Sequence, residues 1–408
     1  MREHSDIVIV GGGLNGTTLG LALARTGHHV SILDSLPRQT RANDRFDGRS
    51  YALALGSQRV LVALGLWPDL VNHAQPMLGI KVTDGVAGRG PSPLLMHFDH
   101  AEIEEGPMGY MVEERYLRHA LLDRVDASPN LTYLARTRVV DQQVSAGRAR
   151  IILDTGATID TRLIVGADGR SSGTAIRAGI GRTGWSYDQL ALVCAVMHEK
   201  SHNGIAHQLF LPGGPLAILP LTANRCSVVW SERRDLAETV AQLDDRMFLE
   251  ALRPRFGDFL GQISLAGDRF TYPLGLSLAN ALVADRVALI GDAAHQMHPI
   301  AGQGLNAGLR DVAALAETVT LAARRGEDFG APDVLARYQQ WRRFDIVALA
   351  VATDTFNRLF SNDNPILRLG RDLGMGVVNA MPRLRRGFIR EAAGLTGDLP
   401  RLMQGHPI

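Results

Sequence analysis

Two kinds of apolar run alternate along the chain. Short uninterrupted runs rich in β-branched residues, such as Asp6-Ile7-Val8-Ile9-Val10, suit strands buried on both faces. The first such run leads into Gly11-Gly12-Gly13-Leu14-Asn15-Gly16, a predicted helix over 17–25 that Gly27 stops, and a second strand over 29–34. This is one βαβ unit. Runs of the same buried type recur at 162–165, ahead of Gly166-Ala167-Asp168-Gly169, and at 286–291. Between 79 and 153 several strand-like runs surround a clear helical pattern at 115–125. From about 187 to 272 the pattern becomes alternating, as in 190–197 and 226–231, which predicts an antiparallel sheet. From Gly304 onward the pattern is mainly helical, and no internal repeat appears. Parallel-strand signatures at both ends bracket an antiparallel middle. The order predicts an α/β fold: a Rossmann-like nucleotide-binding domain over 1–75, 100–180 and 275–345, an inserted antiparallel-sheet domain over 76–99 and 181–274, and a C-terminal helical region over 346–408.

Composition narrows the function classes. The 408 residues carry a formal net charge of +1, a balance that argues against a dedicated nucleic-acid binder. Cys194 and Cys226 offer neither a disulfide framework nor metal-ligand spacing, and both sit in apolar runs, as buried reduced thiols of a cytoplasmic protein do. No apolar run reaches membrane-spanning length, and Met1 to Ser5 is too short and polar for a signal peptide. The stretch 365–390 holds Arg368, Arg371, Arg383, Arg385, Arg386 and Arg390 against Asp372 alone. Such a basic amphipathic segment suits peripheral contact with an anionic membrane surface, and equally a helix packed on the body of the protein with a solvated basic face.

The chemistry starts at the first glycine turn. Gly11, Gly13 and Gly16 form G-x-G-x-x-G after a strand and at a helix start, where the glycines permit a tight turn, a close approach to a pyrophosphate and close helix–strand packing. The helix N-terminus offers free N–H groups to phosphate. Asp34, 18 residues after Gly16, ends the second strand in position to accept a bond from a ribose hydroxyl. The motif alone does not separate FAD from NAD. No second G-x-G-x-x-G follows; instead there are Gly166-Ala167-Asp168-Gly169-Arg170-Ser171 and Gly291-Asp292-Ala293-Ala294-His295, the latter running on from His298 through Pro299, Gly302, Gln303, Gly304, Leu305 and Asn306 to Asp311. Asp292 suits a ribityl hydroxyl, and N–H groups at Gly302 and Gly304 before a helix suit negative charge on a reduced flavin ring. His295 and His298 have an i, i+3 spacing that suits a metal on a helix, but they flank a turn with no third ligand at useful spacing, so no metal site is assigned and a structural or flavin-lining role is expected.

These three motifs, in this order, resemble the FAD monooxygenases related to para-hydroxybenzoate hydroxylase, and within that group the ubiquinone-biosynthesis hydroxylases. The run from His298 to Asp311 is nearly that family's signature, with Ala307 where leucine is more usual. Arg49-Ser50-Tyr51-Ala52-Leu53 with Leu64-Gly65-Leu66-Trp67, Tyr272-Pro273-Leu274 and Gly394 to Pro400 extend the match along essentially the whole chain. The resemblance implies that Gly11, Gly13, Gly16 and Asp34 hold the ADP part of FAD, with Val139 beside the adenine. It sets Arg49 near the isoalloxazine and Arg115 near the pyrophosphate and ribityl chain. It connects Asp168 and Gly169 with both FAD and the pyridine nucleotide, gives the ribityl region to Asp292, and lines the flavin with Pro299, Gly302, Gln303, Gly304, Leu305 and Asn306. The implied activity is a monooxygenase in which NADH or NADPH reduces the flavin and O2 supplies the hydroxyl of an aromatic ring. The implied substrate is a polyprenylated phenol or quinone precursor, in the company of other ubiquinone-biosynthesis proteins. A hydroxylase of a soluble aromatic and a non-catalytic flavoprotein that holds a lipid are the alternatives. The cofactor carries this chemistry, and the sequence nominates no catalytic side chain.

Overall fold

The computed structural model describes residues 4–88, 90–298, 302–360 and 381–408. Its first sheet is built around the strand His4–Val10, which pairs in parallel with Val30–Asp34 on one side and Thr158–Gly166 on the other. Leu131–Ala135 extends the first flank and Val287–Leu289 the second, both in parallel. A strand from late in the chain therefore completes a sheet begun at its start. Ile7, Val8 and Ile9 are fully buried in the main core, which leaves no polar side to write into the sequence. The helix Leu14–Ala24 packs on this sheet, and the helix Gln303–Arg324 packs against that helix.

The helix expected at 17–25 starts three residues earlier, at Leu14. Asn15 and Gly16 are poor helix formers, yet a Cβ on Gly16 would stand 2.0 Å from the Gly11 carbonyl oxygen, so the turn itself packs the chain into the helix from its first residue.

The second sheet has nine strands and is largely antiparallel. Gly79–Val86 and Gly90–Asp99 join it beside Ile205–Leu211. One face carries Leu192, Cys194, Val228 and Trp230 under the helices Arg234–Ala241 and Asp245–Phe256. By strand alternation the intervening residues point to the opposite face. There Ala195, Leu219 and Leu221 meet Phe46, Ala52, Met77 and Met111. A three-stranded sheet, formed by Ser50–Ala54, Ala74–Met77 and Gly109–Glu113, supplies Ala52 and both methionines. The strand read from the alternation at 190–197 spans Arg182–His198 in full. A register shift between Ser186 and Gln189, with Asp188 at φ +55°, breaks the alternation that would have marked its first half.

The basic C-terminal stretch divides. Arg368, Arg371 and Asp372 lie outside the described residues. The helix Pro382–Ala392 is docked on the body by Ile389 and Ala393, which pack with Leu55, Ile103 and Met108, and by the pairs Arg385–Glu102 at 2.8 Å and Arg390–Glu105 at 2.5 Å. Arg383 and Arg386 stay exposed, as do Leu384 and Phe388. Among the described residues no helix is long and apolar enough to cross a membrane. Cys194 and Cys226 are buried free thiols, and burial pushes both up to about 12.

Candidate cofactor site

The first glycine turn is shaped by what lies behind it. Gly11 has φ +113°, and a Cβ there would stand 2.3 Å from the Ala167 carbonyl oxygen, so only glycine lets the two strand ends meet. Gly13 caps the helix Leu14–Ala24 with no side-chain bond, and a Cβ on it would meet nothing within 4 Å. The turn is thus closed toward the sheet and open at its helix end. Asp34 is almost fully buried. Its carboxylate accepts from Arg41 Nε at 2.8 Å, Tyr133 hydroxyl at 2.6 Å and Leu36 N–H at 3.0 Å. Burial works to raise this carboxyl, but the three donors outweigh it and hold it below its ordinary value. Gly12, a free position in the motif, proves as constrained as its neighbours. A Cβ there would stand 2.3 Å from the Tyr133 hydroxyl and 2.5 Å from Asp34 Oδ2. Val139 begins the strand Val139–Ser145, two residues after Thr137, whose N–H donates to the Asp34 carbonyl at 2.9 Å.

The second turn, after Thr158–Gly166, spends its acid on itself. Asp168 accepts from the Thr174 N–H at 3.0 Å, the Thr174 hydroxyl at 2.9 Å and the Ser172 hydroxyl. Ser172 in turn caps the short helix Gly173–Arg177. Gly169 follows at φ +79° and remains open on its side-chain face.

The third turn has the reverse arrangement, with its backbone clamped and its carboxylate free. Asp311, fully buried on the helix Gln303–Arg324, accepts from the Gly291 N–H at 3.0 Å and Arg342 Nε at 2.8 Å, and lies 2.6 Å from His295 Nε2. Burial opposes its charge, but His295 and Arg342 prevail and lower its carboxyl. From the other side Arg182 donates to the carbonyls of Ala293 and Asp292, the latter at 3.3 Å, and to Ser277 O at 3.0 Å. The Asp292 side chain has no hydrogen-bond or ion-pair partner among the described residues. It is reached by solvent, and desolvation raises its carboxyl against the pull of His295, Arg170 and Arg182. Gly302, at φ +64°, caps the helix Gln303–Arg324, again with no side-chain bond and no acid in the first turn. Asn306 ties that start to the strand Ser50–Ala54, accepting from Ala54 N–H at 2.9 Å and donating to Ala52 O at 2.8 Å. Leu305 is half-buried against the main core, Gln303 opens the helix, and Gly304 is exposed. Pro299 lies outside the described residues.

Arg49 and Arg115 are engaged rather than loose. Arg49 pairs with Asp47 at 2.6 Å and Glu114 at 3.2 Å, and lies over Phe270. Arg115 pairs with the buried Glu113 at 2.8 Å and donates to the Asp44 carbonyl at 2.9 Å, so it anchors the loop that precedes Arg49. Glu113 also holds Arg225 of the large sheet, at 2.7 Å.

Sequence reasoning missed Gly12, Tyr133, Arg41, Arg182 and Asp311. Gly12 and Asp311 stood inside recognised motifs and Arg41 lies seven residues from Asp34, whereas Tyr133 and Arg182 act across about a hundred residues that no local pattern records.

These residues fit FAD. Two helices, of 11 and 22 residues, begin at glycines with uncapped N-termini, which suit a pyrophosphate and a polar ring edge. Their starts lie together: the Asn15 amide fills the space that a Cβ on Gly291 or Gly308 would need, at 2.3 Å from each. Buried polar atoms without partners sit on the same segments, namely Asn15 Oδ1, Ser50 Oγ and both ring nitrogens of His298. Each such group costs on the order of 1–3 kcal/mol while unmet, a cost that a polar ligand would recover.

A family described as "FAD binding domain" matches residues 4–352. The ubiquinone hydroxylase UbiL of Rhodospirillum rubrum is 47% identical over 407 residues, covering 99% of this chain and 94% of the relative. The 3-demethoxyubiquinol 3-hydroxylase of Escherichia coli is 32% identical over 398 residues, covering 97% of this chain and 100% of the relative. Among solved structures, p-nitrophenol 4-monooxygenase PnpA of Pseudomonas putida superposes with a TM-score of 0.79 at 20% identity, over 97% of this chain and 99% of that one, a likeness of fold.

Proposed function

This chain belongs to the FAD-binding monooxygenase family that includes the ubiquinone hydroxylases, and from that premise we propose that it uses NAD(P)H and O2 to hydroxylate the aromatic ring of a polyprenylated ubiquinone precursor. The 47% identity to a ubiquinone hydroxylase across nearly the whole of both chains carries the reading. Bound FAD supplies the redox chemistry and the oxygen activation.

The chain's own residues bind, orient and exclude water. The uncapped helix start at Gly13 takes the pyrophosphate, with Gly11 and Gly16 packing the turn. Asp34 serves the adenosine ribose by a lone pair that Arg41 and Tyr133 leave open, and Val139 lies on the adenine side. Asp292 takes ribityl hydroxyls with its free carboxylate. Gly302, Gln303, Gly304, Leu305 and Asn306, with Pro299, line the ring. Arg49 and Arg115 hold the loop over it, and Asp168 with Gly169 shapes the neighbouring turn toward both nucleotides. In this division 1–75, 100–180 and 275–345 serve the cofactor, 76–99 and 181–274 the substrate, and 346–408 forms the C-terminal region. Ala195, Leu219 and Leu221 on this sheet face cluster with Ala52, which supports an apolar substrate. Arg383 and Arg386, beside exposed Leu384 and Phe388, support peripheral membrane contact. Other ubiquinone-biosynthesis proteins are the expected company.

Mass spectrometry of quinone intermediates in a deletion strain tests the reaction: the expected result is a polyprenylated precursor one hydroxyl short. Unchanged intermediates would overturn it. Liposome co-sedimentation tests the membrane contact, and failure to bind anionic vesicles removes it.

A further inference from the structure

His295 and His298 stand three residues apart, and the fold gives them opposite surroundings. His295 is spent on Asp311, at 2.6 Å. His298 is 1% exposed, and neither of its ring nitrogens has a hydrogen-bond partner among the described residues. Tyr187 packs edge-on against it at 5.5 Å between centroids, but the Tyr187 hydroxyl is committed to Asp354, at 3.0 Å. The buried Arg342 and Gln189, by contrast, are paired: Arg342 with Asp311, and Gln189 with the Gly213 carbonyl and Asn357. Burial pushes the His298 imidazole down to about 4, so at neutral pH it carries one donor and one acceptor. Native interiors rarely keep such groups unmet, and an exception calls for a partner outside the polypeptide.

The position indicates the partner. His298 stands four residues ahead of Gly302, which caps the uncapped-by-side-chain helix Gln303–Arg324 and is drawn to the strand Ser50–Ala54 through Asn306. We propose that His298 is the hydrogen-bonding residue of the ring site, its imidazole bonded to a heteroatom on the edge of a planar ring, either the flavin or the phenolic substrate. The inference rests on the hydroxylase reading and names the side chain that reading lacks. A neutral imidazole suits the task, since it offers a donor to a ring carbonyl or nitrogen and an acceptor to a phenol hydroxyl while adding no charge to an apolar site. As a proton acceptor it is weak, so its role is to orient the ring rather than to ionise it.

The test compares His298→Phe, His298→Gln and His298→Asn in the flavin-loaded protein. Three quantities are read: FAD dissociation with the visible spectrum in the absence of substrate, affinity for a short-chain prenylphenol by flavin titration, and melting temperature. If the partner is flavin, the Phe variant loses FAD affinity by about ten-fold, the worth of one hydrogen bond, and shifts the visible band. If the partner is substrate, FAD binding holds while prenylphenol affinity falls by about the same factor. In either case Gln or Asn, which keeps one nitrogen in place, recovers part of the loss. Should Phe fail to fold, the Gln–Asn difference in the same affinities decides. Unchanged affinities with Phe, or equal losses in all three variants that track melting temperature, would overturn the proposal. A parent protein that takes up no FAD defeats the hydroxylase reading instead.

Discussion

Asp34 ends a buried parallel strand and Asp292 follows one, each near a glycine turn and a helix start. Around Asp34 the protein closes on the side chain: Arg41, Tyr133 and Leu36 all donate to it, and the carboxyl is held low. Around Asp292 the protein closes on the backbone. Asp311 holds Gly291 and Arg182 holds the carbonyls of Asp292 and Ala293, while the carboxylate itself has no partner among the described residues and is raised by desolvation. One acid is built into the scaffold; the other is presented by it. The lesson is that a glycine–aspartate pair states only that a turn is tight. Whether its acid is structure or binding group depends on which donors the rest of the fold brings up. Asp168 makes the point a third time, with its carboxylate consumed by Ser172 and Thr174.

The comparison breaks most visibly at Asp311. Asp311→Ala strips His295 of its partner and the buried Arg342 of one of its two, the other being Asp345, and unclamps Gly291, so a loss of about 3–5 kcal/mol is expected by denaturant unfolding. A loss below about 1 kcal/mol would mean that the third turn does not depend on this hub. Next in size is Gly12→Ala. Its added methyl collides with Tyr133 and Asp34, and a cost of about 1–3 kcal/mol with reduced flavin content is expected; a variant as stable and as yellow as the parent would show that the first turn is not closed in solution.

Asp34→Asn and Asp292→Asn sharpen the contrast through pH. Asp34 has a folded value below the ordinary 3.8, so its contribution is present above that pH and is lost as pH falls through the lowered value. Asp292 has a folded value above 3.8, so its contribution is present below that pH and is lost as pH rises through the raised value. Relative to the parent, Asp34→Asn should therefore destabilise at neutral pH, with the deficit shrinking in acid. Asp292→Asn should leave neutral stability equal or higher while weakening FAD. Unfolding curves between pH 3 and 7 check both signs, and parallel behaviour of the two variants would erase the distinction. Smallest is Tyr133→Phe, which removes one donor from Asp34 and should cost about 0.5–1.5 kcal/mol; thermal melts read it, and no change would assign the closure of Asp34 to Arg41 and the Leu36 N–H.

Much of the scaffold was legible in the chain. The uninterrupted β-branched strands, the helix at 114–126 and the antiparallel middle follow from periodicity, because burial on one face or two is written directly into residue spacing. What escaped was long-range. Gly12 reads as a free position until Tyr133, 121 residues on, is laid against it. Arg182 opens a strand whose register shift hides its first half, and its carbonyl partners lie 110 and 111 residues away.

Residue order alone determined that this chain makes a parallel nucleotide-type sheet completed from a distance, that three glycine turns follow its strands, two of them carrying an aspartate, and that its motifs match FAD-dependent hydroxylases. Those properties are local or familial, set by spacing and turn chemistry. Tertiary structure alone decided which acid stays free and which of two neighbouring histidines stays unpaired. Both are matters of hydrogen-bond satisfaction, and a donor reaches its acceptor only after distant segments have packed.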